Sequence, residues 1–333
     1  MPQNLPDGFN YKICYLSELI PEIHMNHFCR ISVALLLFVL FTGCEKNSGV
    51  KIKDNNLLNA LIKAGVDVDG DGDISFAEAE AVTYLDLRNN NIEGLGGIGA
   101  FLHLDSLILR ENRIIGFDAS ENLKLRYLDC EYNQMTYLTI SLNIQLEYLF
   151  CSANNMTSLD VSNNPALLYL DCTSNLLTAL DVSKNPDLIY LGCGGNELTS
   201  VNVTENTYLL ALLCDYNNLS ELDVTVNTNL INLICGNNTL TSLDLSNNNS
   251  LKRLKCENNQ LVALNTLYNP VLSELYCQNN KISSIILPSN NSLTILDCSG
   301  NLIPAIDLSK NNKLANIKLQ NMSALKKVCV WIL

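Results

Sequence analysis

The sequence predicts an α/β-type repeat solenoid, mostly parallel β with loops, entered through a short helical unit. Three observations carry that prediction. Cysteine returns every 21 residues from Cys130 to Cys298 without a slip, and asparagine follows three places later each time. A second aliphatic and asparagine pattern runs half a period out of step with the first. Just ahead of the repeats lies an acidic, glycine-bent stretch between two segments of helical patterning. A fixed short period implies units that cannot bury their apolar faces alone and must stack.

The totals narrow the function before any motif is read. The chain has 333 residues, 34 acidic against 21 basic, and a net charge of -13. That balance argues against nucleic acid as a partner, because phosphate binding needs clustered Lys and Arg. With 16 Gly and 8 Pro, the composition does not suggest disorder.

The first element is a sorting signal. Met25 is the better start, and residues 1–24 are read as a misassigned extension, set aside with Cys14 and Cys29. In residues 25–43 a lone Arg30 precedes an apolar run from Ile31 to Phe41. Eleven residues suit a signal-peptide core, about 7–15 long, and fall short of the roughly 20 that span a bilayer. The following "FTGC" resembles the lipobox of bacterial lipoproteins, although the family usually has an aliphatic residue where Phe41 stands. The resemblance implies acylation of Cys44 and a tether over residues 44–53. A plain secretory signal with a coincidental cysteine is the alternative.

Residues 54–82 come next. "DNNLLNALIKAGV" places Leu57, Leu58, Leu61 and Ile62 on one helical stripe, and "SFAEAEAV" starts a second, short helix. Between them, "DVDGDGDISFAE" sets oxygen-bearing side chains at Asp67, Asp69, Asp71, Ser75 and Glu78, with Gly72 at the sixth place and Ile74 at the eighth. A hard cation wants several oxygens, and alternating residues turn inward only if the chain bends sharply. The stretch resembles an EF-hand loop. The resemblance implies Ca2+ held by the carboxylates of Asp67, Asp69 and Asp71, the backbone carbonyl of Asp73, Ser75 directly or through water, and both oxygens of Glu78. Ser75 and Glu78 alone also read as a helix capping box, which leaves the aspartates and Gly72 unexplained. A single loop, where sensors of that family usually carry pairs, favours a fixed structural ion over a switch.

The repeats fill residues 83–333. Their template is L-x-x-L-x-C-x-x-N-x-L, with Leu109 and Leu319 in the cysteine slot on either side of the column. Residues 83 to 331 resemble the leucine-rich repeat, in a nested subclass that alternates half-repeats of ten and eleven residues. "LDVSKN", with Val182 and Asn185, shows the second half; its asparagine column runs from Asn122 to Asn311. Short L-x-L segments bury alternate residues, and stacked coils pair them as parallel strands about 4.8 Å apart. Each asparagine amide is placed to satisfy backbone groups stranded where the chain turns.

Cysteine in this slot reads as a compact inward hydrophobe, inert because buried. A disulfide ladder is the rival, but parallel in-register Cβ vectors suit that bond poorly, and nine members leave one over. Metal binding is weaker still, because no CxxC pair or histidine cluster accompanies the column. Both ends need caps. The calcium unit is placed to cover the first coil, whereas "LKKVCVWIL" stops in what reads as a strand, through truncation or an unusual cap.

Residues flanking the inward leucine and cysteine are expected on the surface: Tyr127, Tyr148, Tyr169 and Tyr190 three places before cysteine, then Phe150, Leu213, Ile234 and Tyr276 one place before, and Tyr132 and Tyr216 two after. Aromatic anchors beside carboxylates are what binding patches contain; support of the strand ladder alone is the competing explanation. Beyond the signal the only histidine is His103, so no Ser-His-Asp or Cys-His arrangement assembles, and no enzyme activity is expected. The expected function is a lipid-anchored protein of the bacterial cell envelope, at the outer membrane or cell surface. Its expected partner is another protein, and membrane contact comes through the lipid alone. A glycan-binding adhesin and a passive surface stalk are the alternatives.

Overall fold

A computed structural model describes residues 49–289 and 291–331. Residues 50–333 form one compact unit, which holds the solenoid. The signal segment, the extension before it and Cys44 lie outside the described residues. Among the described residues no helix is long and apolar enough to cross a membrane.

The twelve coils are named here by their strands. Coils 1–6 carry Tyr84–Asp86, Ser106–Ile108, Tyr127–Asp129, Tyr148–Phe150, Tyr169–Asp171 and Tyr190–Gly192; coils 7–12 carry Ala211–Leu213, Asn232–Ile234, Arg253–Lys255, Glu274–Tyr276, Ile295–Asp297 and Asn316–Lys318. Together they form one 12-stranded sheet in coil order. All pairings are parallel, and register follows the repeat: Leu128 pairs with Leu149, and Leu149 with Leu170. Among the described residues the aliphatic half-coils form strands in three places, each a two-stranded pair: Gly116–Asp118 with Tyr137–Thr139, Ala263–Asn265 with Ser284–Ile286, and Ala305–Asp307 with Lys327–Cys329.

The interior is layered as the template requires. The strand leucines, the nine column cysteines and the facing valines, such as Val161, Val182, Val203 and Val224, merge into one apolar cluster. Each of the nine thiols is fully buried and free. Burial pushes the pKa values of the eight from Cys151 to Cys298 up, to about 12 for Cys193 and Cys298, so the thiolate needed for exchange or metal binding is suppressed. Leu109 sits in the same layer, fully buried, and Leu319 packs on its edge.

The two asparagine columns staple neighbouring coils together, a wider role than satisfying their own turn. Asn154 donates from Nδ2 to the Cys151 carbonyl of its own coil (3.1 Å) and the Cys130 carbonyl of the previous one (3.0 Å). Its Oδ1 accepts from the Met135 amide at 2.9 Å. In the second column Asn185 donates to Val161 and Asn164 carbonyls, at 2.9 and 2.8 Å. The turn two residues past each cysteine slot is left-handed in every coil, from Asn89 to Asn321.

The N-terminal unit is tied to the first coil. Helix α1 spans Asn55–Lys63 and α2 spans Phe76–Ala81. Asp54 caps α1, its Oδ1 accepting from the Asn56 and Leu57 amides, while its Oδ2 accepts from Glu93 (2.7 Å) and Gly94 (2.8 Å). One carboxylate thus binds the cap and the edge of coil 1. Leu57, Leu61, Ile74 and Ala79 join the cluster that holds Leu85 and Leu87. At the other end, all three residues of Asn316–Lys318 are exposed. Lys318, Lys326 and Lys327 stand there, the residue type that discourages edge-to-edge pairing.

Candidate functional site

Two places carry chemistry: the acidic loop of the N-terminal unit and the outer face of the 12-stranded sheet.

In the loop, Asp67, Asp69 and Asp71 each bring a carboxylate oxygen within 4.8 Å of the others, and among the described residues no other group of this kind is found. The chain bends there through Gly70 (φ 74°) and Gly72 (φ 90°), a left-handed conformation natural to glycine. Asp67 accepts from the Gly70 and Gly72 amides, which fixes the turn. Glu78 reaches back across the loop: Oε1 accepts from the Val68 amide at 2.6 Å, and Oε2 from the Ser75 amide at 2.8 Å. Burial raises the Glu78 pKa, but hydrogen bonds from Ser75, Val68 and Asp69 outweigh it and the net shift is downward, keeping the carboxylate ionised. The capping box of Ser75 and Glu78 is formed, so that reading and convergent oxygens coexist. Ile74, at the centre of the loop, is buried, and its carbonyl accepts from the Val50 amide at 2.7 Å. The edge that a second loop would pair with is occupied by the chain's own upstream segment. The donor set is all oxygen, which suits a hard cation.

On the sheet face the sequence expectation needs correction. Tyr127, Phe150, Tyr169 and Tyr190 are buried, and Tyr148 is half-buried. The cause is register. Identical rings on adjacent parallel strands face each other: Tyr148 and Tyr169 stack at 5.1 Å between centroids, Tyr169 and Tyr190 at 6.1 Å, and Tyr127 leans on Tyr148 and Phe150 at 6.0 and 5.5 Å. The rings seal one another's faces, so the strip is a wall showing edges. Burial raises the Tyr148 hydroxyl to about 12. Leu213, Ile234 and Tyr276 are half-buried, and Tyr132 and Tyr216 project freely, 53% and 63% exposed. Both of these occupy the left-handed turn position, φ 53° and 52°, which a bulky side chain rarely adopts.

Three features of this face were not singled out from the sequence. An aliphatic row, Leu168, Ile189, Leu210 and Ile231, lies four places before cysteine and lengthens the apolar patch over coils 5–8. Its signal was present, an aliphatic residue at the same point of four successive repeats. Next, charged side chains collect on either side of the patch: Asp86, Arg88, Arg110 and Glu131 on coils 1–3, and Arg253, Lys255, Glu257 and Glu274 on coils 9–10. Last, the place after cysteine alternates acid and glycine through Gly194, Asp215, Gly236 and Glu257, and burial raises the pKa of both acids.

Comparison with solved structures places the fold. The functional domain of InlJ from Listeria monocytogenes, whose description includes a cysteine ladder, is 30% identical; the match covers 81% of this chain and 69% of that one, with a TM-score of 0.64. The chain belongs to the leucine-rich repeat family. Two further leucine-rich repeat structures share the fold. The internalin InlF of Listeria monocytogenes is 20% identical, with 84% and 89% of the chains covered and a TM-score of 0.70. A Leptospira interrogans leucine-rich repeat protein is 24% identical, with 76% and 75% covered and a TM-score of 0.62. No protein-family profile and no curated protein sequence matches the chain.

Proposed function

We propose that this chain is a protein-recognition scaffold of the bacterial cell envelope, held by a lipid on Cys44 and stiffened at its N-terminus by a structural calcium ion. The observation that carries the recognition role is the sheet face over coils 5–8. There Leu168, Ile189, Leu210, Leu213 and Ile234 stay partly exposed side by side, with charged residues on the coils beyond. An apolar centre with a polar rim is the anatomy of a protein interface. Sugar stacking needs a free aromatic face, and the tyrosine strip has its faces covered by its own members, which favours protein over glycan.

The test pairs Leu213→Asp with Ile234→Asp, two half-buried positions whose substitution leaves the interior leucines and cysteines in place. Affinity capture from intact bacteria and neighbouring cells, run with wild type and variant in parallel, is expected to lose its specific protein partner in the variant while circular dichroism stays native. Equal capture by both proteins removes this reading.

The calcium site rests on the convergent carboxylates of Asp67, Asp69 and Asp71, with Ser75, Glu78 and the Asp73 carbonyl as the further ligands that the loop's resemblance to an EF-hand implies. When bound there, the ion would neutralise mutual repulsion of the carboxylates and pin the loop that carries Ile74 into the core. The lipid anchor rests on the sequence resemblance at Cys44, and a mature mass lacking acyl chains excludes it.

A further inference from the structure

The sheet face contains acids that the fold leaves unpaired although it pairs others in the same row. In coil 3, Glu131 occupies the place after cysteine, buried and hydrogen-bonded by both Arg110 and Ser152. Coils 7 and 9 put Asp215 and Glu257 at that place, and among the described residues neither has a basic side chain within salt-bridge distance. Each folds back over a glycine of the preceding coil. A Cβ on Gly194 would stand 2.6 Å from Asp215 Oδ1, and one on Gly236 would stand 2.8 Å from Glu257 Cδ. The glycines thus let both carboxylates lie low on the sheet, half-buried. Glu257 Oε2 is buried with no hydrogen-bond partner, as is Oε1 of Gln278 beside it. Lys255 lowers both pKa values, yet burial dominates and both stay raised; its ammonium rests over the Tyr276 ring at 5.4 Å.

Resting on the recognition role above, we propose that coils 7–9 bind a cationic, amphipathic helical segment of a protein partner, its basic side chains meeting Asp215 and Glu257 and its aliphatic ones lying on Leu213 and Ile234. Charge complementarity selects the sign: the apolar patch borders unpaired carboxylates on a chain of net charge -13. Spacing selects the helix. Asp215 and Glu257 lie two strands apart, about 9.6 Å. Residues seven apart on one helix face are separated by about 10.5 Å, whereas same-face residues of an extended strand fall at about 6.6 or 13 Å. Tyr216, exposed beside Asp215, offers the segment an aromatic wall.

The test uses the whole chain and a phage-displayed library of random 16-residue peptides. Panning is expected to enrich pairs of Lys or Arg seven residues apart with aliphatic residues between them. Asp215→Asn with Glu257→Gln is expected to weaken the enriched peptides roughly tenfold or more. The same double variant should melt at a higher temperature than wild type at neutral pH, because it removes two desolvated charges, so lost binding cannot be lost folding. Enriched peptides without basic pairs, or binding unchanged in the double variant, overturn the cationic segment while leaving protein recognition standing. Failure to enrich any peptide also overturns it, and the capture experiment with the Leu213 and Ile234 variants then decides the broader role separately.

Discussion

Replacing Asn196 with alanine tests how the coils are held together. Its Nδ2 donates to the Cys172 carbonyl of the previous coil (3.1 Å) and the Cys193 carbonyl of its own (3.0 Å), and its Oδ1 accepts from the Leu177 amide (3.0 Å). Alanine removes three hydrogen bonds: the buried Leu177 amide is left without its acceptor, while the Cys172 and Cys193 carbonyls keep only the Asn175 and Asn217 amides. At about 1 kcal/mol for each lost bond, with more where a buried group finds no water, the cost is roughly 3–4 kcal/mol. Asn185, in the second column, donates to two carbonyls while its own Oδ1 has no partner. Alanine there removes two bonds from carbonyls that still accept from the Asn164 and Leu167 amides, for about 2 kcal/mol at most. Urea denaturation of both variants supplies the ranking. Because a solenoid opens locally, hydrogen exchange at the Leu177 amide should accelerate in Asn196→Ala and stay near wild type in Asn185→Ala. If Asn196→Ala lies within about 1 kcal/mol of wild type, or Asn185→Ala is the costlier change, the stapling argument is wrong.

Four further outcomes are expected. Tyr216→Asn should stabilise by about 0.5–1 kcal/mol, since asparagine tolerates the left-handed turn that tyrosine resists; a lower melting temperature contradicts this. Asp54→Ala should cost about 2 kcal/mol, because four amides of α1 and coil 1 lose their acceptor, and thermal melting of the single variant is sufficient to check it. Asp215 and Glu257 have folded pKa values above the ordinary carboxylate range, so the native state gains stability as pH falls from neutral through those raised values. The advantage of Asp215→Asn with Glu257→Gln over wild type should therefore be full at pH 7 and shrink toward pH 4, and a gap that widens on acidification runs against the assignment. Calcium at millimolar concentration should raise the melting temperature of wild type and leave Asp67→Ala with Asp71→Ala unmoved; calorimetry without binding heat removes the ion from the account.

The solenoid was legible because its rule is periodic. Leu128, Cys130 and Asn133 occupy the same environment as Leu149, Cys151 and Asn154, so one template fixes burial for every coil. The left-handed turn was written in the same way, with Asn or Gly at seven of the twelve positions from Asn89 to Asn321, but it was hidden by Glu111, Tyr132, Ala153, Ser174 and Tyr216 at the others. Burial of the tyrosine strip was not legible from any single coil. Alternation along a strand sends Tyr169 outward, and only the ring on the next strand decides whether outward means wet. Tyr169 lies between Tyr148 and Tyr190 and is sealed, whereas Tyr276, one place before its cysteine, lies between Lys255 and Asp297 and stays half-open.

That contrast bears on where recognition resides. A coil built for stacking alone has no use for a desolvated carboxylate without a basic partner, nor for an exposed tyrosine in a left-handed turn. Coil 3 answers its buried acid with an arginine, and coils 8–10 fill the left-handed place with Asn237, Asn258 and Asn279. Coil 7 does neither: Asp215 and Tyr216 stand together there, with Glu257 two strands away and Leu213 and Ile234 alongside. The tyrosine stack of coils 3–6 relieves its own exposure, so its free energy is spent on the solenoid. Coil 7 holds both groups at the surface with Lys255 only partly offsetting the burial of Asp215, so a molecule from outside can supply further positive charge and cover the aromatic face.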